Sequence, residues 1–198
     1  MRGRTNPLVF FGATRPVAVL TLLCGMAVVT GILGPRAAAV EFSDDEQKIA
    51  NLLPSGFAPS LCRTASDPIP PLEAVASLQC TASAGSGGPT TGRFTLWPDA
   101  DTMNDQFQTQ AVGSALWAPA PCPGVGASPG NWNYTESPNQ VAGQMICGFF
   151  QGSPNIEWTR DSQLLTLDVA GGTDIDGLFR WWGGSGNPGG APITGVIA

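Results

Sequence analysis

The chain has no histidine among its 198 residues, and that absence decides most of the chemistry it can perform. Ser-His-Asp and Cys-His nucleophilic machinery need an imidazole base, and histidine-ligated metals need an imidazole ligand. From residue 40 onward there is one lysine, Lys48, in a helical segment with no accompanying serine motif. H-E-x-x-H and P-loop patterns do not occur. Gly126-Ala-Ser128-Pro-Gly130 fits G-x-S-x-G and Gly184-Ser-Gly186-Asn-Pro-Gly189 fits G-x-G-x-x-G by spacing alone, but both lie in Gly- and Pro-rich stretches and the serine of the first has no histidine to serve it. Carboxylate chemistry remains, with fifteen acidic residues to draw on, and glycoside hydrolysis needs only two suitably spaced acids.

Cysteines form the second set. Cys62, Cys80, Cys122 and Cys147 are an even number, which reads as two disulfides in an oxidising compartment, and the lack of both C-x-x-C spacing and histidine argues against zinc. Four cysteines allow three pairings. Joining sequence neighbours, Cys62 to Cys80 and Cys122 to Cys147, is the expected one, since each bridge would tie a loop to an adjacent strand. Cys24 sits within an apolar run after Leu22-Leu23 and behaves as a small apolar residue rather than a lipid-modified one.

Six tryptophans form the third set. Trp97, Trp158 and one of Trp181 and Trp182 are expected in the core. Trp117 and Trp132, flanking the loop that carries Cys122, are the ligand-binding candidates, because stacked aromatics line carbohydrate and apolar ligand sites. Asp99-Ala-Asp101-Thr-Met-Asn-Asp105 fails as an EF-hand: Met103 and Asn104 stand at its fifth and sixth positions, where an oxygen ligand and a glycine belong. That segment and Thr173-Asp174-Ile175-Asp176-Gly177 are expected to be helix caps. No metal, and no cofactor, is expected.

The segments that position these residues begin with an export signal. Arg2, Arg4 and Arg15 precede the uncharged run from Val17 to Gly34, which Pro35 ends and Ala37-Ala38-Ala39 follows as a small-x-small cleavage site. Residues 1–39 are read as a signal peptide cut after Ala39, with an uncleaved anchor through residues 17–34 as the alternative. Either places residues 40–198 outside the cytoplasm. Four of the nine basic residues precede residue 40, leaving five against fifteen acids, a net charge of −10. Such a charge repels nucleic acid and anionic headgroups.

Ser43-Asp44-Asp45-Glu46 is a capping box opening a helix that runs through Leu53. Strands are expected at 75–81, 93–97, 144–150, 155–159 and 164–169, and helices over 99–112 and from Thr173 or Asp174 through Trp182. The fold class is α+β, a single antiparallel sheet of about five strands with two or three helices packed on it, spanning residues 40–182. Residues 183–198, rich in Gly and Pro, read as a disordered tail.

The order of "LLPSGF", Cys62, "LQC" and "FTLWPDADTMNDQF", then "PCPG", "NWNY", "GQMICG", "EWTRD" and "LFRWW", resembles the extracytoplasmic domain that follows the transmembrane helix in some actinobacterial serine/threonine protein kinases. The likeness spans about Ile49 to Trp182. It implies a sensory or ligand-binding module with two disulfides, the four cysteines matching the family's positions. There is no kinase domain, so no phosphotransfer is implied. The expectation is a non-enzymatic, exported envelope protein that binds a small molecule, glycan or protein partner. A secreted carboxylate hydrolase and a structural envelope protein are the alternatives. Two acids with raised pKa values in a cleft would favour the hydrolase, an aromatic-lined pocket between helix and sheet would favour binding, and a closed surface would favour a structural role.

Overall fold

A computed structural model describes residues 41–66, 73–83, 85, 87–124, 128–188 and 190–196. The export segment, with its cleavage or anchor alternatives and Cys24, lies outside them. No helix among the described residues is long and apolar enough to cross a membrane.

Helix α1 (Asp44–Asn51) starts at the capping box: Glu46 N donates to Ser43 Oγ at 3.3 Å, and Ser43 N donates to Glu46 Oε2 at 2.8 Å. The other Glu46 oxygen accepts from Thr64 Oγ1 at 2.5 Å, so the cap also docks the helix onto the first strand. Both aspartate-rich segments are caps, as expected. Asp99 accepts from Thr102 N at 2.8 Å to open α2 (Ala100–Gln106). Asp174 accepts from Gly177 N at 2.6 Å to open α3 (Ile175–Trp181). Each of these two helices ends in a widened turn, 107–112 after α2 and 182–186 after α3.

Among the described residues the sheet has nine strands rather than about five: β1 (Phe57–Thr64), β2 (Ala76–Ala82), β3 (Thr91–Leu96), β4 (Trp117–Pro119), β5 (Gly130–Tyr134), β6 (Val141–Phe150), β7 (Ser153–Arg160), β8 (Leu165–Ala170) and β9 (Gly190–Val196). Their order is β1-β2-β3-β8-β7-β6-β5-β9, with β4 pairing the far end of β6, and every pairing is antiparallel. The five expected strands are β2, β3, β6, β7 and β8. Of the added four, β1, β4 and β9 lie at the sheet's edges, where a strand is held by a neighbour's free backbone groups and needs no apolar side-chain pattern of its own, and β5 is a five-residue strand between β6 and β9, too short to show a clear alternation. Hence the tail, expected to be disordered from residue 183, contributes β9 through backbone pairing with β5.

Period-two alternation gives the sheet two unlike faces. One carries Leu78, Phe94, Leu96, Leu167, Val169, Ile156, Trp158 and Met145, buried together under Ile49 of α1 and Leu178 and Trp182 at the other end of the chain. Trp182 stacks on Phe179 (5.6 Å, 20°) and meets Trp132 and Trp158 edge-on at 5.9 and 6.4 Å. Arg160 clamps these helices, donating from Nη1 to Leu52 O at 3.1 Å and from Nη2 to Gly186 O at 3.3 Å.

Both disulfides join the expected partners, Cys62 to Cys80 and Cys122 to Cys147. Cys122 ties the Pro-rich loop to the middle of β6, as anticipated. Cys62 lies within β1 and directly opposite Cys80, so that bridge staples two strands instead of a loop to a strand. Two disulfides fit an oxidising environment, as found outside the cytoplasm.

Candidate functional site

The second face of the sheet is polar and only partly covered. α2 and its widened turn lie across one end of it, where Phe107 and Ala111 pack with Trp117 and Ile146. Gln144 of β6 holds this turn, donating to Asn104 Oδ1 at 3.0 Å and accepting from Gln108 Nε2 at 2.7 Å. The uncovered remainder is the floor of a cleft of about 380 Å³.

Strand register builds that floor residue by residue. Gln79 of β2 faces Arg93 of β3, Arg93 faces Asp168 of β8, and Asp168 faces Glu157 of β7. The next row is Ser77, Thr95, Thr166 and Thr159. Each of its hydroxyls is engaged: Ser77 and Thr95 share a 2.9 Å hydrogen bond, and Thr166 Oγ1 accepts from Trp97 Nε1 at 2.9 Å. Thr159 Oγ1 donates to Asp161 Oδ1 at 2.6 Å. The walls are Trp97, Phe107, Trp117, Phe150 and Leu116. Trp117 leans on Phe150 with ring centroids 6.2 Å apart, and Leu116 is 54% exposed at the rim.

Directly opposed residues on antiparallel strands have Cβ atoms about 5 Å apart. Glu157 and Asp168 therefore set two carboxyl groups side by side on the floor. Burial, reinforced by the Asp168 charge, pushes the Glu157 carboxyl well above the usual range. Burial also raises Asp168, to about 6, against the opposing effects of a hydrogen bond from Asn155 and the nearby Arg93 guanidinium. Two neighbouring carboxylates that cannot both ionise cheaply hold a proton between them into the near-neutral range.

Raised acid pKa values make the native state bind more protons than the unfolded chain, so this pair's ionisation destabilises the fold as pH rises from about 4 through the Asp168 value of about 6 and on through the higher range where Glu157 ionises. Unit charges about 5 Å apart at an effective dielectric of about 20 repel by about 3 kcal/mol, less where the cleft admits water. Glu157→Gln is thus expected to stabilise the protein by about 1–3 kcal/mol near pH 7.5 and by much less near pH 4.5. Urea denaturation at both pH values measures the difference, and equal effects at the two would contradict the assignment.

Of the two tryptophans expected at a ligand site, Trp117 lines the cleft, while Trp132 does not. Trp132 is fully buried in the core on the sheet's opposite face, with Nε1 donating to Thr159 O at 2.9 Å. Trp97, expected in the core, is well buried yet forms part of the cleft wall. Gln79, Arg93, Glu157 and Asp168 were not anticipated. A signal for the acids exists in the sequence: "IEW" and "LDV" each place one acid between two apolar residues mid-strand, on adjacent strands joined by a tight turn.

No family model, no curated protein and no solved structure matches this chain.

Proposed function

We propose that the protein is an exported, non-catalytic binding module of the cell envelope whose cleft receives a small ligand between the aromatic wall and the acidic floor. One observation carries the reading: a polar sheet face lies uncovered beneath Trp97, Phe107, Trp117 and Phe150, in a concavity of small-molecule size. A protein with a purely structural role has no use for half-buried acids with raised pKa values beneath an open cleft, since each costs stability at neutral pH. Export is supported by the two disulfides and by the sequence of residues 1–39. The likeness to kinase-associated sensor domains points the same way. With a net charge of −10 from residue 40 on, nucleic acid is a poor partner, and the membrane is reached only through residues 17–34 if these are retained.

The test is a fragment screen on the disulfide-intact protein by amide chemical-shift mapping. Hits are expected to move the amides of Arg93, Trp117, Glu157 and Asp168 and to leave α1 and α3 still. Hits scattered over other surfaces, or none, would overturn the reading.

The Glu157–Asp168 pair favours one second reading. Acids on directly opposed strand positions, with Cβ atoms about 5 Å apart, can bring their carboxyls to the spacing of about 5–5.5 Å of retaining glycoside hydrolases, where one is a nucleophile and the other an acid. Release of nitrophenol from a panel of nitrophenyl glycosides, abolished by both Glu157→Gln and Asp168→Asn, would replace the binding role with this one. The binding reading predicts no turnover.

A further inference from the structure

We infer that the occupant of this cleft is a small organic cation, an ammonium group on an apolar or aromatic body, held by the Asp168–Glu157 floor. The inference rests on the cleft being a binding site and concerns what it binds.

Unsatisfied groups on the floor and wall are all acceptors. Asp168 Oδ1 and Gln106 Oε1 belong to cleft-lining residues and are buried without a hydrogen-bond partner; behind the floor, Oδ1 of Asn155, the 1% exposed residue beside Asp168, is unpaired too. A buried acceptor left unpaired is costly, and what satisfies it is a donor. An ammonium carries three donors and no acceptor, matching a set of oxygens that a carboxylate ligand would only repel.

Charge agrees with hydrogen bonding. The charged groups facing Asp168 are Arg93 on β3 and Glu157 on β7, with neutral Gln79, Asn155 and Gln106 around them. One cation against two carboxylates leaves the fully ionised floor one positive charge short of balance. A ligand cation supplies it and removes the repulsion that keeps a proton on the pair. The rings of Trp97, Phe107, Trp117 and Phe150 then give the apolar body its contact surface and the cation a π face.

Binding must therefore displace a proton, and it strengthens as pH rises through the range where Asp168 ionises, at about 6. Isothermal titration of the disulfide-intact protein tests this with 2-phenylethylammonium, its neutral counterpart 2-phenylethanol, and methyl glucoside. The ammonium is expected to bind at least about tenfold tighter than the alcohol near pH 7.5, a difference of about 1.4 kcal/mol. Near pH 5 it should weaken by about threefold or more. Asp168→Asn should lose about tenfold in affinity, and Glu157→Gln provides the same comparison if that variant does not fold. Should the alcohol or the glucoside bind as well as the ammonium and shift cleft amides, the cation is overturned while the cleft stands as a site. Should none of the three give heat or shift a cleft amide, the cation inference and the binding reading fall together.

Discussion

Removing both disulfides is expected to unfold this protein or leave it within a few kcal/mol of unfolding. The bridges span 18 and 25 residues. Closing loops of that length in the unfolded chain removes entropy worth about 3 kcal/mol each. Together they approach the whole net stability of a typical domain, about 5–15 kcal/mol. The sheet's construction makes the dependence sharper. Cys62–Cys80 fastens β1, an edge strand with three consecutive exposed residues, Pro59 to Leu61, to β2. Cys122–Cys147 fastens a Pro-rich loop over the centre of β6, where Ser128 Oγ also accepts from Cys147 N at 2.8 Å. Paired serine replacements at each bridge, followed by chemical denaturation without reductant, measure the two contributions. Losses under about 1 kcal/mol per bridge would contradict the staple role.

Trp132→Ala is expected to cost about 3–5 kcal/mol and to leave the cleft's ligand contacts in place. Its indole is inaccessible to solvent and meets Tyr134 and Trp182 edge-on at 5.0 and 5.9 Å. Its N–H reaches Thr159 O across Gly143, where a side chain would collide with both groups. Deleting the ring opens a cavity in the layer between α3 and the sheet, and the tight packing of Trp158 and Trp182 limits its collapse. Trp132→Phe keeps the apolar contact and loses the hydrogen bond, so a smaller loss of about 1–3 kcal/mol is expected. Thermal denaturation ranks the three proteins. If Trp132→Ala unfolds like the parent, the residue belongs to the surface, as its place beside the Cys122 loop first suggested.

The contrast between Trp132 and Trp117 shows where sequence reading reaches its limit. Both flank the same loop, and nothing local separates them. Trp117 falls on a three-residue strand against the end of β6, and Trp132 on a strand against its other end. Which sheet face each side chain meets is set by that long-range register, not by neighbouring residues. The helix caps at Ser43, Asp99 and Asp174 were legible because a cap is a contact over three residues. The five central strands were legible because their apolar alternation reports burial directly. The edge strands β1, β4 and β9 were not, since backbone pairing at a sheet edge leaves little pattern in composition, and β5, between β6 and β9, is too short for one. The acid row of the cleft lies between these cases. Glu157 and Asp168 each break an apolar strand at mid-length, but only the β7–β8 register places them opposite each other.

That juxtaposition carries the account of the cleft. It turns two ordinary carboxylates into a proton-sharing pair beneath an aromatic wall, and every statement about ligand and pH follows from it. Carbon-13 NMR titration of the side-chain carboxyls reads it most directly. The account expects the Asp168 carboxyl to titrate at about 6 and that of Glu157 to stay protonated well above the ordinary carboxylate range. Both carboxyls titrating independently near 4, as solvated acids do, would contradict it.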